Sequence, residues 1–188
     1  GFLVPRADDY QGEYVPASAE RMSWLSGFTG SAGVILVTRT QAIVFVDGRY
    51  TTQLVEQVDG DVFTGGDLVN APPPIWLKKN APKGFRLGLD PWLHTGAELR
   101  RLEASLKDAG GEIVLLQHNP LDAVWKDRPS EPLGAVTIQT EMHAGVLARE
   151  KIATIAQDLT AANLQAVLIG EPSSVAWIFN IRGNDVPH

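Results

Sequence analysis

Two short apolar runs dominate the first fifty residues. Val34 to Val37 and Ala42 to Val46 are aliphatic or aromatic throughout, and the polar turn Arg39, Thr40, Gln41 separates them. Runs this short, bounded by turn residues, read as buried strands joined in a hairpin. Phe2 to Val4 is a further candidate strand, followed by the polar and irregular stretch Pro5 to Pro16. Ser18 through Leu25 reads as a short helix with Ser18 as its cap, although Arg21 stands three residues on where an acid is usual. Thr51 to Gln57 is helix-compatible and runs into the turn Asp59-Gly60-Asp61. Gly65-Gly66 and Pro72-Pro73-Pro74 read as loops, because proline has no N–H to give a ladder, and a short helix is expected to begin at Trp76 and Leu77.

The pattern then settles into alternation. Arg86 to Leu89 is a short strand, Thr95 and Glu98 form a T-x-x-E capping box, and Leu99, Leu102, Leu106 and Ala109 mark one helical face before Gly110-Gly111. Ile113 to Leu116 is the next strand. A second helix comes later, with Ile152, Ile155, Leu159 and Ala162 as its buried stripe and Asn163 near its C-cap; Ala166 to Ile169 is read as a strand, and Val175 to Ile181 as another apolar segment. Helix and strand alternating in this way predict an α/β fold, a mixed sheet flanked by helices.

Between the two stretches, Asp127, Arg128, Pro129, Ser130, Glu131 and Pro132 combine two prolines with alternating charge, the composition of an interdomain crossing. The residues beyond this crossing are too few for a domain of their own. The expected organisation is a first domain over 1–128, a linker over 129–144, and the truncated start of a second domain over 145–188. Gly1 in place of methionine adds the expectation of a chain cut at both ends.

Composition narrows the functional classes. The 188 residues are 44% hydrophobic and 20% charged, enough for one full core and part of another. No apolar stretch reaches the ~18 to 20 residues that span a bilayer, and the expectation is a chain with no membrane partner. With no cysteine there is no disulfide and no thiolate metal site, in keeping with a cytoplasmic protein. A net charge of −6, with only Lys78, Lys79 and Lys83 clustered, argues against a nucleic-acid partner.

The segment from Trp24 to Tyr50 is the natural place to look for chemistry, because Gly27, Gly30 and Gly33 punctuate it and it ends in Asp-Gly-Arg-Tyr. It fits no catalytic template. A phosphate loop needs a lysine and a following helix, whereas this loop has neither. A dinucleotide fingerprint has a different glycine spacing. The nucleophile elbow nearly fits at Ser31, but Thr29 stands where its first glycine belongs and no strand precedes it. A glycine-rich structural turn is the better reading. His94, His118, His143 and His188 are scattered without zinc spacing, and the pairs Asp8-Asp9 and Asp59/Asp61 read as exposed turns rather than hard-cation sites. The five tryptophans are spread evenly, which suits packing rather than base stacking. No metal site and no catalytic residue emerge in this chain.

The run VPRADDYQGEYVPASAERMSWLSGFTGSAG followed by DGRY, then GLDPW at Gly88 to Trp92, the segment from Asn119 to Pro129, and WIFNIRGNDV from Trp177 to Val186 resemble, in order and over the whole chain, the creatinase-like N-terminal region of the large three-domain Xaa-Pro aminopeptidases. Prolidases and creatinase share the domain type. The resemblance implies a parent that removes the N-terminal residue from peptides with proline second, where the tertiary nitrogen defeats ordinary aminopeptidases. It implies two divalent metal ions, commonly manganese, held in a C-terminal pita-bread domain by two Asp, one His and two Glu, none of them in this sequence. It implies proline-containing peptides and a second subunit in a homodimer as partners, and a fragment that is inactive alone but shapes active-site access. Arg49 is the residue expected to reach a peptide carboxylate or carbonyl, or else the catalytic domain; the alternative is a local ion pair with Asp47. Tyr50 is expected to pack. Arg182 and Asp185 are weaker candidates for an interdomain cleft. The competing functions are a stand-alone peptide- or protein-binding module and the N-terminal part of a prolidase or creatinase relative.

Overall fold

A computed structural model describes residues 1–184, and the chain divides into two compact units, 1–130 and 131–188. In the first unit the elements come in the order β1 (Phe2–Pro5), α1 (Arg21–Ser26), β2 (Val34–Val37), β3 (Ala42–Val46), α2 (Thr51–Gln57), β4 (Phe63–Asp67), α3 (Pro73–Asn80), β5 (Arg86–Leu89), α4 (Gly96–Leu106), β6 (Glu112–Leu115) and α5 (Pro120–Val124). The six strands form one mixed sheet in the order β4-β3-β2-β1-β5-β6. The hairpin pairs β2 with β3 in register from Val34 opposite Phe45 to Val37 opposite Ala42, and β1 lies antiparallel to β2. On either side the pairing turns parallel, β3 with β4 across α2 and β5 with β6 across α4. Such crossovers place helices on the faces of a sheet.

Because successive side chains of a strand point to opposite faces, the apolar runs feed two cores. Leu3, Val34, Leu36, Ile43, Phe45, Leu87 and Leu89 pack with Leu77 of α3 and Leu102 and Leu106 of α4. Their sequence neighbours Val4, Ile35, Val44 and Val46 pack on the other face with Met22 of α1, Phe28 and Leu121 of α5. Strands buried on both sides are apolar at every position, which is why Val34 to Val37 shows no polar alternation.

Three local expectations differ from the structure and a fourth holds. Ser18 is not a helix cap: it lies buried in a 3-10 turn, Ala17–Ala19, and α1 starts at Arg21 with no side-chain cap. Gly65 and Gly66 are strand rather than loop. A Cβ on Gly66 would fall 2.5 Å from the Phe45 ring, so glycine lets the edge strand close over a core aromatic. The prolines open α3 instead of preceding it, because Pro73 and Pro74 sit in the first turn, where no N–H is needed. The capping box at Thr95, by contrast, forms as expected with both reciprocal bonds.

The second unit holds β7 (Thr137–Ile138), α6 (Glu141–Ala144), α7 (Ala148–Ala161), α8 (Pro172–Phe179) and β8 (Ile181–Arg182), with β7 and β8 antiparallel. Ala166 to Ile169 is not a strand. It is irregular and exposed or half-exposed, because no described strand offers it a ladder. The expected stripe of α7 is not buried either: Ile152 and Ala162 are exposed, Ile155 and Leu159 half-buried. The residue that α7 does bury is Lys151, whose Nζ donates to Trp177 O and Asn180 Oδ1, both at 2.8 Å, and stands 4.1 Å from the centroid of the Trp177 ring.

Candidate functional site

The glycine loop and the DGRY segment meet at one corner of the first unit, where β3 ends and α2 begins. Asp47 sets the turn: its Oδ1 accepts from Arg49 N at 3.0 Å, and its carbonyl accepts from Tyr50 N at 3.1 Å. An aspartate accepting from the backbone two residues on is a turn-forming device. It also positions the Arg49 side chain, whose Nε donates to Oδ1 at 3.0 Å and whose Nη2 donates to Oδ2 at 2.8 Å. The hydrogen bonds from Arg49 hold the Asp47 carboxyl below its ordinary pKa. The guanidinium carbon stands 5.1 Å from the centroid of the Tyr50 ring.

Tyr50 ties the turn to the loop. Its hydroxyl lies 2.5 Å from Ser31 Oγ, and its ring meets Phe28 edge-on with centroids 5.7 Å apart. The bond to Ser31 lowers the phenol pKa. Gly30 is required at this junction, since a Cβ there would come within 2.3 Å of Phe28 Cζ and 2.9 Å of Tyr50 Cδ1. Thr29, Gln53 and Gln57 close the outer side through side-chain amide and hydroxyl bonds of 2.9 to 3.2 Å. Ser31 therefore faces a phenol, and among the described residues neither a histidine nor a carboxylate is bonded to it. It lacks the base that would activate a nucleophile.

Of the two alternatives for Arg49, the local ion pair is the one present. It forms the local pair with Asp47, and its side chain nonetheless stays 68% exposed, so the outer edge of the guanidinium is open to a further acceptor. Arg182 lies on β8 in the second unit, exposed, its carbonyl accepting from Thr137 Oγ1 at 3.1 Å. Arg49 and Arg182 thus belong to different units. Asp185 lies outside the described residues.

The resemblance-bearing motifs at 88–92 and 119–129 join the start of α1 in a latch on the same unit. Arg21, nearly buried, grips Asp122 with Nε to Oδ1 at 2.7 Å and Nη2 to Oδ2 at 2.9 Å, while Arg128 Nη1 reaches Asp122 Oδ2 at 2.7 Å and its Nε donates to Ser18 O at 2.7 Å. Buried Asp90 accepts from Asn119 Nδ2 at 2.9 Å, and Asn119 Oδ1 caps α5. Trp24 stacks on Trp125 with centroids 5.4 Å apart. The sequence presents these residues only as separate motifs. Separations of 29 positions for Asp90 and Asn119 and of 101 for Arg21 and Asp122 hide the pairing, and the one hint is that buried arginines need an acid. Among the described residues no three His, Cys, Asp or Glu side chains gather to hold a metal ion.

With this architecture in view, comparison with known proteins defines the class. The creatinase/prolidase N-terminal domain family matches residues 6–121, and a second family model of the same description matches 127–188. The chain belongs to the creatinase/prolidase N-terminal domain family. It is similar over its whole length to the probable Xaa-Pro aminopeptidases P of Paracoccidioides lutzii, at 35% identity, and Neosartorya fischeri, at 36% identity. It spans 31% and 29% of the length of those relatives. Its fold superimposes with a TM-score of 0.90 on the X-prolyl aminopeptidase of Caenorhabditis elegans, described as a cytosolic enzyme with a di-nuclear active site, at 30% identity and covering 99% of this chain and 31% of that one.

Proposed function

We propose that this chain is the N-terminal portion of a metal-dependent Xaa-Pro aminopeptidase. In that role it performs no chemistry itself but forms part of the approach to a catalytic domain carried elsewhere in the parent. The observation that carries this reading is the similarity to Xaa-Pro aminopeptidases P along all of the chain, against about a third of theirs. We read residues 1–128 as the first creatinase-like domain, 129–144 as the linker, whose β7 and α6 fold with the second unit, and 145–188 as part of the second domain. The catalytic domain supplies two divalent metal ions, manganese in our reading. The parent is a cytoplasmic homodimer acting on peptides with proline second.

Arg49 is the residue of this chain assigned to peptide contact, with Arg182 as a secondary candidate. A guanidinium has five donors, and Asp47 occupies two of them along one edge, which orients the group and leaves the rest for a carbonyl or carboxylate. Asp47 and Tyr50 are positioning residues for Arg49.

The test uses the intact parent with manganese and an Xaa-Pro peptide. Turnover is expected from the parent and none from residues 1–188. Arg49→Ala is expected to lower kcat/KM by about tenfold or more, a loss of ~1.4 kcal/mol in transition-state binding, with the melting temperature little changed. A parent unable to cleave Xaa-Pro peptides removes the activity. Unchanged kinetics in Arg49→Ala removes the residue and leaves the activity standing.

A further inference from the structure

The first unit contains a cleft of about 790 Å³ on the α3 and α4 face of the sheet, away from the Asp47, Arg49 and Tyr50 turn. Leu3, Val34, Leu68, Ile75, Leu93 and Leu102 supply its apolar wall. The charged lining is unbalanced, with Arg6, Lys78, Lys79 and Arg101 against Glu98 alone. Glu98 is already committed to the α4 cap through Thr95, and Arg6 to Glu20 and the Glu13 carbonyl. Lys78 has only a loose partner in Asp108 at 4.0 Å. Lys79 and Arg101 are exposed and form no ion pair among the described residues. Two uncommitted cations beside an apolar hollow are unexpected in a chain of net charge −6. The wall also holds an orphan: His94 Nε2 is enclosed with no hydrogen-bond partner among the described residues, a rarity in folded proteins.

We infer that this cleft binds a small amphipathic carboxylate, its hydrocarbon body against Leu68 and Ile75 over the nearly buried Leu3 and Leu93, and its carboxylate at Lys79 and Arg101. The volume falls within the ~300 to 1,000 Å³ of small-ligand sites, which are apolar hollows with a few orienting polar groups. Charge complementarity selects the anion. Arginine offers a fork matched to the two oxygens of a carboxylate, and lysine adds a point charge. The wall selects an aliphatic body over a fully polar anion such as phosphate. The assignment is independent of the peptidase reading, because every residue it uses lies in the first unit and none belongs to the Arg49 corner.

Isothermal titration of the 188-residue chain with decanoate, and with 1-decanol as its neutral counterpart, tests the assignment. Decanoate is expected to bind one to one and more tightly than decanol. Lys79→Glu with Arg101→Glu, both at exposed positions, is expected to weaken decanoate by about tenfold and decanol by less than about twofold. Ala104→Phe, at an exposed position in the lining, is expected to fill the cleft and weaken both. Equal affinities for decanoate and decanol, full decanoate binding by the double charge reversal, or no saturable decanoate binding would each overturn the assignment. So would displacement of decanoate only by an acidic amphipathic peptide, which would give the cleft to a protein segment.

Discussion

The two units use the same kinds of residues and reach opposite degrees of closure. In the first, every strand of the central hairpin is covered on both faces, and the large apolar side chains Phe28, Phe45, Leu36 and Leu106 are at most 1% exposed. In the second, Leu133 is 96% exposed, Leu168 97% and Met142 84%. The contrast extends to charge. Arg21 is buried against a carboxylate that a second arginine shares, whereas Lys151 is buried against a carbonyl, an amide oxygen and an aromatic face. A sheet with helices on both sides sequesters its apolar residues. Three helices, one of them a single turn, and a two-residue ladder bury one amphipathic contact and leave most of the remaining apolar surface open.

The largest test of this contrast pairs one leucine from each unit. Leu106→Ala removes a fully buried side chain from the α4 core and is expected to cost about 2 to 5 kcal/mol. Leu168→Ala removes one that touches mostly solvent and is expected to change stability by no more than about 0.5 kcal/mol. Amide hydrogen exchange read separately for each unit checks both, since local opening need not be global. A large loss in Leu168→Ala would show that the second unit is closed in solution and would break the comparison.

The legibility of the fold in the sequence divides along the same line. The hairpin, α2, β5 and the Thr95 capping box can be located because local signals and tertiary environment agree there. Gly65-Gly66 and the triple proline mislead, because glycine and proline read locally as punctuation while their role is close approach to Phe45 and entry into α3. Ala166 to Ile169 misleads for the reverse reason, an apolar run that reads as a strand but has no ladder to join. At the candidate site, the Asp47 pair of Arg49 is foreseeable at two residues' separation. The Tyr50 to Ser31 bond and the Arg21 to Asp122 grip are not, since only the fold brings those positions together.

A smaller effect separates the two buried cations. Arg21→Met leaves Asp122 with Arg128 alone. Breaking a buried pair costs about 3 to 5 kcal/mol, but Asp122 is 29% exposed and keeps its second partner, so about 2 kcal/mol is expected. Lys151→Met strands only neutral acceptors, Trp177 O and Asn180 Oδ1, and returns the cost of desolvating an ammonium, so about 1 kcal/mol is expected. Urea denaturation monitored by tryptophan fluorescence, with exchange to assign the unit, reads the order. A larger loss in Lys151→Met would make the second unit's polar contact the stronger of the two.

The smallest effect is a difference in acid sensitivity. Burial pushes the pKa of His94 in the first unit below its ordinary 6.5, so the unfolded chain takes up a proton there before the folded one does. The associated stability is present above about pH 6.5 and is lost as pH falls below it. In the second unit Glu171 caps α8, accepting from the hydroxyls and backbone N–H groups of Ser173 and Ser174, and those bonds lower its carboxyl pKa to about 2 from 4.5. Its contribution is complete above about pH 4.5 and disappears as pH falls toward 2. Protection factors, corrected for the intrinsic exchange rate at each pH and measured from about pH 7.5 down to about pH 3, should therefore fall first around α4, in a step that His94→Gln removes, and only later at the start of α8, in a step that Glu171→Gln removes. If Glu171→Gln flattened the step below pH 6.5, or His94→Gln left it intact, the acid response of the first unit would have to come from another group, with the Glu20 carboxyl, which burial raises and Arg6 lowers, the next to substitute.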